Sequence, residues 1–284
     1  MREGVHQTPY EQGLEAKITH EASPQSSSEQ GLKGLMPLWG SWRRERLGVI
    51  LVVALIYGLY YPFTHWAIEM SPYDMSTALD RALPLWTSWI VIYAMIYPTA
   101  VTPAFVVRHP ILFRRAAFSF LVSAPIGLGC FLLFPVHMHL RPALESLPAE
   151  DFLTWGLRLC YSIDKPSGCF PSLHVTYATL AALTCARANR RAGVVMWAVA
   201  IAINLSTLLV KQHFIADVVG GVALAYGSDW VSHNTSWSAL AARDQLITEE
   251  EARAEGLTPL IPPLLAFLTL IATLFGLYLW GVTA

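Results

Sequence analysis

The chain has 284 residues, of which 54% are hydrophobic and only 14% charged, with a formal net charge of −1 and a mean hydropathy of +0.44. A soluble domain ordinarily carries about 25% charged residues, and here the apolar residues come in long blocks, so the composition excludes a soluble enzyme and points to a polytopic membrane protein. The near balance of charges gives no footing for nucleic acid.

Residues Met1 to about Gly34 are rich in Glu, Gln and Ser and read as a disordered tail, with no apolar core for a cleavable signal. Trp39 and Trp42 ahead of Arg43, Arg44 and Arg46 read as an interfacial segment. The first span follows, about Leu47 to Ala67. A second lies within Leu83 to Val107, which carries no charge but holds Pro98 and Pro103 as bend points. Arg108, His109, Arg114 and Arg115 read as a basic loop before a third span, about Ala116 to Val136. A longer polar loop, His137 to Phe170, leads to a short fourth span from Pro171 to about Arg187.

Arg187, Arg190 and Arg191 make a tight turn into a fifth span, Ala192 to Val210; the sixth runs from about Phe214 to Val231. Ala239 to Glu255 reads as an exposed amphipathic helix, and a last span lies within Leu257 to Ala284. The expectation is therefore an all-α membrane bundle. Residues 1–42 form the tail and interfacial segment, 43–235 a six-span core, 236–258 a cytoplasmic stretch and 259–284 a seventh span.

With the N-terminus inside, fourteen of the 19 Lys and Arg residues fall on inside segments; Arg81, Arg141, Arg158, Lys165 and Lys211 fall outside. The positive-inside rule favours this orientation. Four of the five outer cations lie in the loop before His174 or immediately before His213, where an anionic substrate would need them; Arg158 also fits a role as ordinary loop polarity. Pro171 and Ser172 are suited to opening a helix, whose free N–H groups and dipole attract an anion. His174 falls in its first turn. His213 and Asp217 are four apart, as on one helix face. Such a pair either caps a helix or fixes an imidazole tautomer for attack.

Other polar residues carry less. His137-x-His139 is incomplete as a metal site, and no metal or other cofactor is expected. Cys160 and Cys169 share one loop and are either a disulfide or two free thiols; Cys130 and Cys185 sit in apolar runs. Asp229 and His233 read as groups snorkelling to the inner interface, with an ion path as the second reading.

Arg141-Pro142, Pro171-Ser172-Leu173-His174 and His213-Phe214-Ile215-Ala216-Asp217 resemble the three motifs of the type-2 phosphatidic acid phosphatase superfamily, which includes the vanadium haloperoxidases. Gly168-Cys169-Phe170 before the second motif and Val218-Val219-Gly220-Gly221 after the third are most similar to the inositol phosphorylceramide synthase branch. The family's usual Lys of the first motif falls on Phe134, and its usual Arg of the third on Thr207; Lys211 and Lys165 are the cations at hand to replace them.

The resemblance implies a metal-independent phosphoryl transfer. His213 would be the nucleophile, Asp217 its orienting partner and His174 the acid and base. Arg141, Ser172, Lys211 and Lys165 would bind the phosphate. The substrate would be a lipid phosphate, met at the extracytoplasmic face of a bilayer such as a bacterial inner membrane. Three functions stay open: a lipid phosphatase or phosphotransferase, a head-group transferase with a lipid alcohol acceptor, and an idle membrane protein or transporter. The sequence leaves the oligomeric state open.

Overall fold

The computed structural model describes residues 73–147, 151–235 and 260–283, together with isolated positions between Arg46 and Gly58 that are helical. The tail, most of the first span and the stretch at 236–258 lie outside the described residues. The chain divides into two units, Met1–Leu47 and Gly48–Ala284, and the second is the helical bundle.

The described residues form helices and connecting turns, with isolated bridges Tyr73–Val136 and His137–Ser167 and no strand among them. A short helix α1 (Ala78–Ala82) precedes a segmented span over Thr87–Val106, built of a 3₁₀ turn, α2 (Ile90–Ala94), α3 (Ile96–Val101) and α4 (Pro103–Val106). Pro98 and Pro103 lack the N–H that a continuous helix needs, which accounts for the segmentation. Helix α5 (Pro110–Leu133) starts six residues earlier than the hydropathy indicated. Pro110 supplies a ready helical φ at the first position, so Arg114 and Arg115 lie in the first turns of the helix rather than in a loop.

The loop predicted from His137 to Phe170 contains an unforeseen helix, α6 (Phe152–Ile163), started by Asp151, whose side chain accepts the N–H groups of Leu153 and Thr154. Helices α7 (Leu173–Ala188) and α8 (Arg190–Leu209) follow, joined through Asn189, which caps α8. Gly193 makes that turn possible: a Cβ there would lie 2.4 Å from the Ala186 Cα. Helix α9 (Ile215–Asn234) and helix α10 (Ile261–Thr283) complete the unit. Four described helical segments are long and apolar enough to cross a membrane: Thr87–Val106, Ile111–Leu133, Arg190–Leu209 and Ile261–Gly281. The all-α membrane bundle is thus as expected.

Helix α7 is the axis of this bundle. Twelve of its 16 residues are buried, and it packs against α8, α9, α5 and the segmented span. It is too short to be counted among the four, but at about 1.5 Å per residue it needs only to carry its N-terminus to one end of the bundle. α7 and α9 run in the same direction, and the Ser172 N–H bond to the Asp217 carbonyl joins their N-termini at that end. At the opposite end Arg187 donates both Nη groups to the Asp229 carboxylate, each at 2.6 Å. Asp229, read from the sequence with His233 as a snorkelling group, lies in this ion pair, and His233 Nδ1 contacts the Asp229 carbonyl at 2.9 Å.

The starts of α7 and α9 are locked by missing side chains. A Cβ on Gly221 would lie 2.6 Å from the Ser172 carbonyl oxygen, and one on Gly220 would strike the Phe170 ring at 2.5 Å. Thr176 Oγ1 shares its proton between the carbonyls of Ser172 and Gly221, at 2.9 and 3.0 Å. Gly221→Ala is therefore expected to push the two helix starts apart and cost about 1–3 kcal/mol of stability. A thermal unfolding midpoint in detergent equal to the wild type would refute this contact.

Candidate active site

His213 does not sit on α9. It lies one residue before the Phe214 cap, held there by the Thr207 carbonyl, which accepts its backbone N–H at 3.1 Å. Asp217 is the third residue of the helix and folds back over its start, where unpaired N–H groups attract a carboxylate. One oxygen, Asp217 Oδ2, accepts the Phe214 N–H at 2.9 Å and faces His213 Nδ1 at 3.3 Å. The aspartate thus caps the helix and meets the imidazole through the same oxygen. A carboxylate can only accept, so Nδ1 is the donor in this contact. The residues are 8% and 0% exposed, which shields the pair from competition by water.

His174 is the second residue of α7, which starts at Leu173 rather than at Pro171. Ser172 is the cap, its Oγ accepting the Val175 N–H at 3.4 Å, and its own N–H donates to the Asp217 carbonyl at 3.1 Å. That second bond joins the cap of α7 to Asp217 and brings the His174 ring to 6.1 Å from the His213 ring, centre to centre. Tyr93 of α2 stacks on the other side of His174 at 4.4 Å, and its hydroxyl reaches Asp164 Oδ2 at 3.3 Å. Sequence reasoning missed Tyr93 because it lies in a span that hydropathy reads as uniform.

The four proposed phosphate ligands have different surroundings. The Arg141 guanidinium lies over the Tyr161 ring at 4.9 Å and donates to the carbonyls of Asp164 (2.7 Å) and Lys211 (3.3 Å). It is thus pinned two residues from His213. Lys165 is half-buried beside Asp164 and makes no hydrogen bond to a described residue. Ser172 is fully buried and engaged as a cap. Lys211 has a backbone φ of 50° and donates its ammonium to the carbonyls of Asp80 (2.8 Å) and Leu83 (2.7 Å). Its charge serves the α1 segment.

Asp80 is another residue that sequence reasoning missed. Its Oδ2 accepts the Thr77 N–H at 2.8 Å and the Thr77 hydroxyl; its Oδ1 accepts the N–H of Ile215, the first residue of α9, at 2.8 Å. It thus ties α1 to the start of α9. Thr77-x-x-Asp80 is a capping-box pattern that sequence inspection can find; the bond to Ile215 is not visible there. Burial alone would raise this carboxyl, but the hydrogen bonds from Thr77 and Ile215 and the Lys211 charge outweigh it and hold it below its ordinary value. A lowered folded-state value means the contribution is present above about pH 4 and is lost as pH falls through the folded value. Asp80→Ala should cost about 2–4 kcal/mol near neutrality and flatten the acid limb of stability. An unchanged pH dependence of unfolding would refute that role.

The expected family cations at 134 and 207 are replaced by structure of another kind. Phe134 stacks on Tyr73 at 4.4 Å and meets the Phe170 edge at 6.0 Å. Thr207 is buried, and its carbonyl holds Gln212 and His213. Behind this wall Val136, Met138, Cys169 and Phe214 form a buried cluster. Cys160 and Cys169 are free thiols. Cys160 accepts from Gln212 Nε2 at 3.0 Å, and burial together with Asp164 pushes its thiol up to about 12. His137 and His139 part company: His139 faces Asp74 at 3.5 Å, while burial, with Arg141 and His139, holds His137 below its ordinary value.

The structure thus brings together a buried His–Asp pair at one helix start, a second His at the start of the neighbouring helix and an Arg beside them. The family model of the PAP2 superfamily matches residues 72–231, which span all of these groups. The chain belongs to the PAP2 superfamily, whose members generally hydrolyse phosphate esters. No curated protein and no solved structure matches the chain.

Proposed function

We propose that this protein is an integral-membrane lipid phosphatase or phosphotransferase that works through a phosphohistidine on His213. The single observation that carries the reading is the buried His213–Asp217 pair with His174 at 6.1 Å. In the first step His213 Nε2 forms a bond to phosphorus while the phosphorus–oxygen bond to the leaving group breaks, and His174 gives that oxygen its proton. In the second, His174 takes the proton of the incoming water or alcohol, whose oxygen attacks phosphorus as the phosphorus–nitrogen bond breaks. Arg141, and Lys165 from the same loop, offset the charge of the phosphate oxygens. The site faces the extracytoplasmic side, in keeping with the distribution of Lys and Arg, and a bacterial inner membrane is the proposed setting.

A second reading, head-group transfer of the inositol phosphorylceramide synthase type, is favoured by Phe134, Thr207 and the engagement of Lys211 by backbone carbonyls. With those charges absent or turned elsewhere, a phosphodiester, with one negative charge, suits the site better than a doubly charged monoester. The test is phosphate release from lipid monophosphates and diphosphates in detergent with EDTA. Release by the wild type supports the phosphatase. Failure on every monoester, with transfer from a phosphodiester lipid to a lipid alcohol, would establish the transferase instead. Inactivity on all of them would leave the idle or transport reading.

A further inference from the structure

Cys169, His213 and Asp217 each offer one ligand atom, and these atoms all lie within 4.8 Å of one another. Among the described residues this is the one such cluster, and all three members are buried. Asp217 Oδ1 is itself buried and makes no hydrogen bond. Phosphoryl transfer through His213 makes no use of Cys169 at all. Sulfur, imidazole nitrogen and carboxylate oxygen are together a borderline-soft donor set, the kind that zinc prefers over magnesium or calcium. At zinc's bond lengths two nitrogen or oxygen donors on a tetrahedral ion lie about 3.3 Å apart, and His213 Nδ1 lies 3.3 Å from Asp217 Oδ2.

From this geometry we infer that the catalytic pair doubles as an inhibitory site for zinc and similar thiophilic divalent cations, with Cys169 as the third ligand. The inhibition follows whichever ring nitrogen binds. Coordination through Nε2 occupies the lone pair that attacks phosphorus. Coordination through Nδ1 drives the ring proton to Nε2, with the same result. The Cys169 thiol releases its proton to solvent on binding, and no oxidant is involved. A hard cation such as magnesium, poorly matched to a thiolate, does not compete.

The inhibition rests on the phosphohistidine reading, whereas the binding does not, so two measurements are needed. Cobalt(II) is titrated into the purified full-length protein in detergent, and the thiolate-to-cobalt charge-transfer band in the near ultraviolet is recorded. The expected result is one equivalent bound with that band present, displaced by zinc. The band is lost in Cys169→Ser and in Asp217→Ala and is kept in Cys185→Ser, with thermal unfolding confirming that each variant is folded. In the turnover assay zinc inhibits the wild type, EDTA reverses it, and Cys169→Ser raises the half-inhibiting concentration at least about tenfold. A wild-type complex without the charge-transfer band, or one unchanged in Cys169→Ser, overturns the site. A band with no turnover on any substrate keeps the site and sinks the enzymatic reading instead.

Discussion

His213→Ala reduces turnover to background, a loss of at least about a thousandfold. The reason is positional as well as chemical. His213 lies in the short turn between α8 and α9, its N–H on the Thr207 carbonyl and its Nδ1 on Asp217. No other imidazole shares that carboxylate among the described residues, and His174 is stacked on Tyr93 with its ring centre 6.1 Å from that of His213. On the proposed mechanism, removing the ring removes the nucleophile without supplying a substitute. The measurement is single-turnover and steady-state phosphate release, together with acid-labile radiolabel retained on the protein. Label on the wild type and none on the variant is the expected pair of results. Wild-type rate in His213→Ala would end the phosphohistidine mechanism.

The second large effect is at Asp217, and there two substitutions separate two contributions. Asp217→Ala removes the acceptor for both Phe214 N–H and His213 Nδ1, so the turn loosens and the tautomer is no longer set. A fall in kcat of roughly a thousandfold is expected, within the range for misplaced acid, base and nucleophile groups. Asp217→Asn is gentler, because both donors address one oxygen, Oδ2. An asparagine carbonyl in that position still receives them, and only the negative charge facing the phosphorylated ring is lost. About a hundredfold is expected. Equal rates for the two variants would mean that orientation contributes nothing, and that charge alone explains the aspartate.

Much of this protein is legible in the sequence because membrane insertion and helix initiation are local matters. Spans are written in runs of apolar residues, and Ser172 announces a helix start through a hydroxyl that satisfies a free N–H donor. The positions of His174, His213 and Asp217 at polar-to-apolar boundaries are visible for the same reason. The amphipathic helix Phe152–Ile163 escapes sequence reasoning because hydropathy over a window as long as a span averages away a helix of 12 residues.

The functions of individual charges were beyond the sequence. Lys211 stands two residues before His213 and reads as a phosphate ligand, yet its ammonium donates to the carbonyls of Asp80 and Leu83. Asp80 reads as one more loop carboxylate, yet it receives the first N–H of a helix 135 residues away. Which donor meets which acceptor depends on contacts between segments far apart in the chain, and residue type and spacing do not encode them. The sequence by itself determined the class of fold and where its chemistry begins. Only the tertiary structure decided which carbonyls Arg141 and Lys211 meet, because buried donors pair with the acceptors that packing brings within reach.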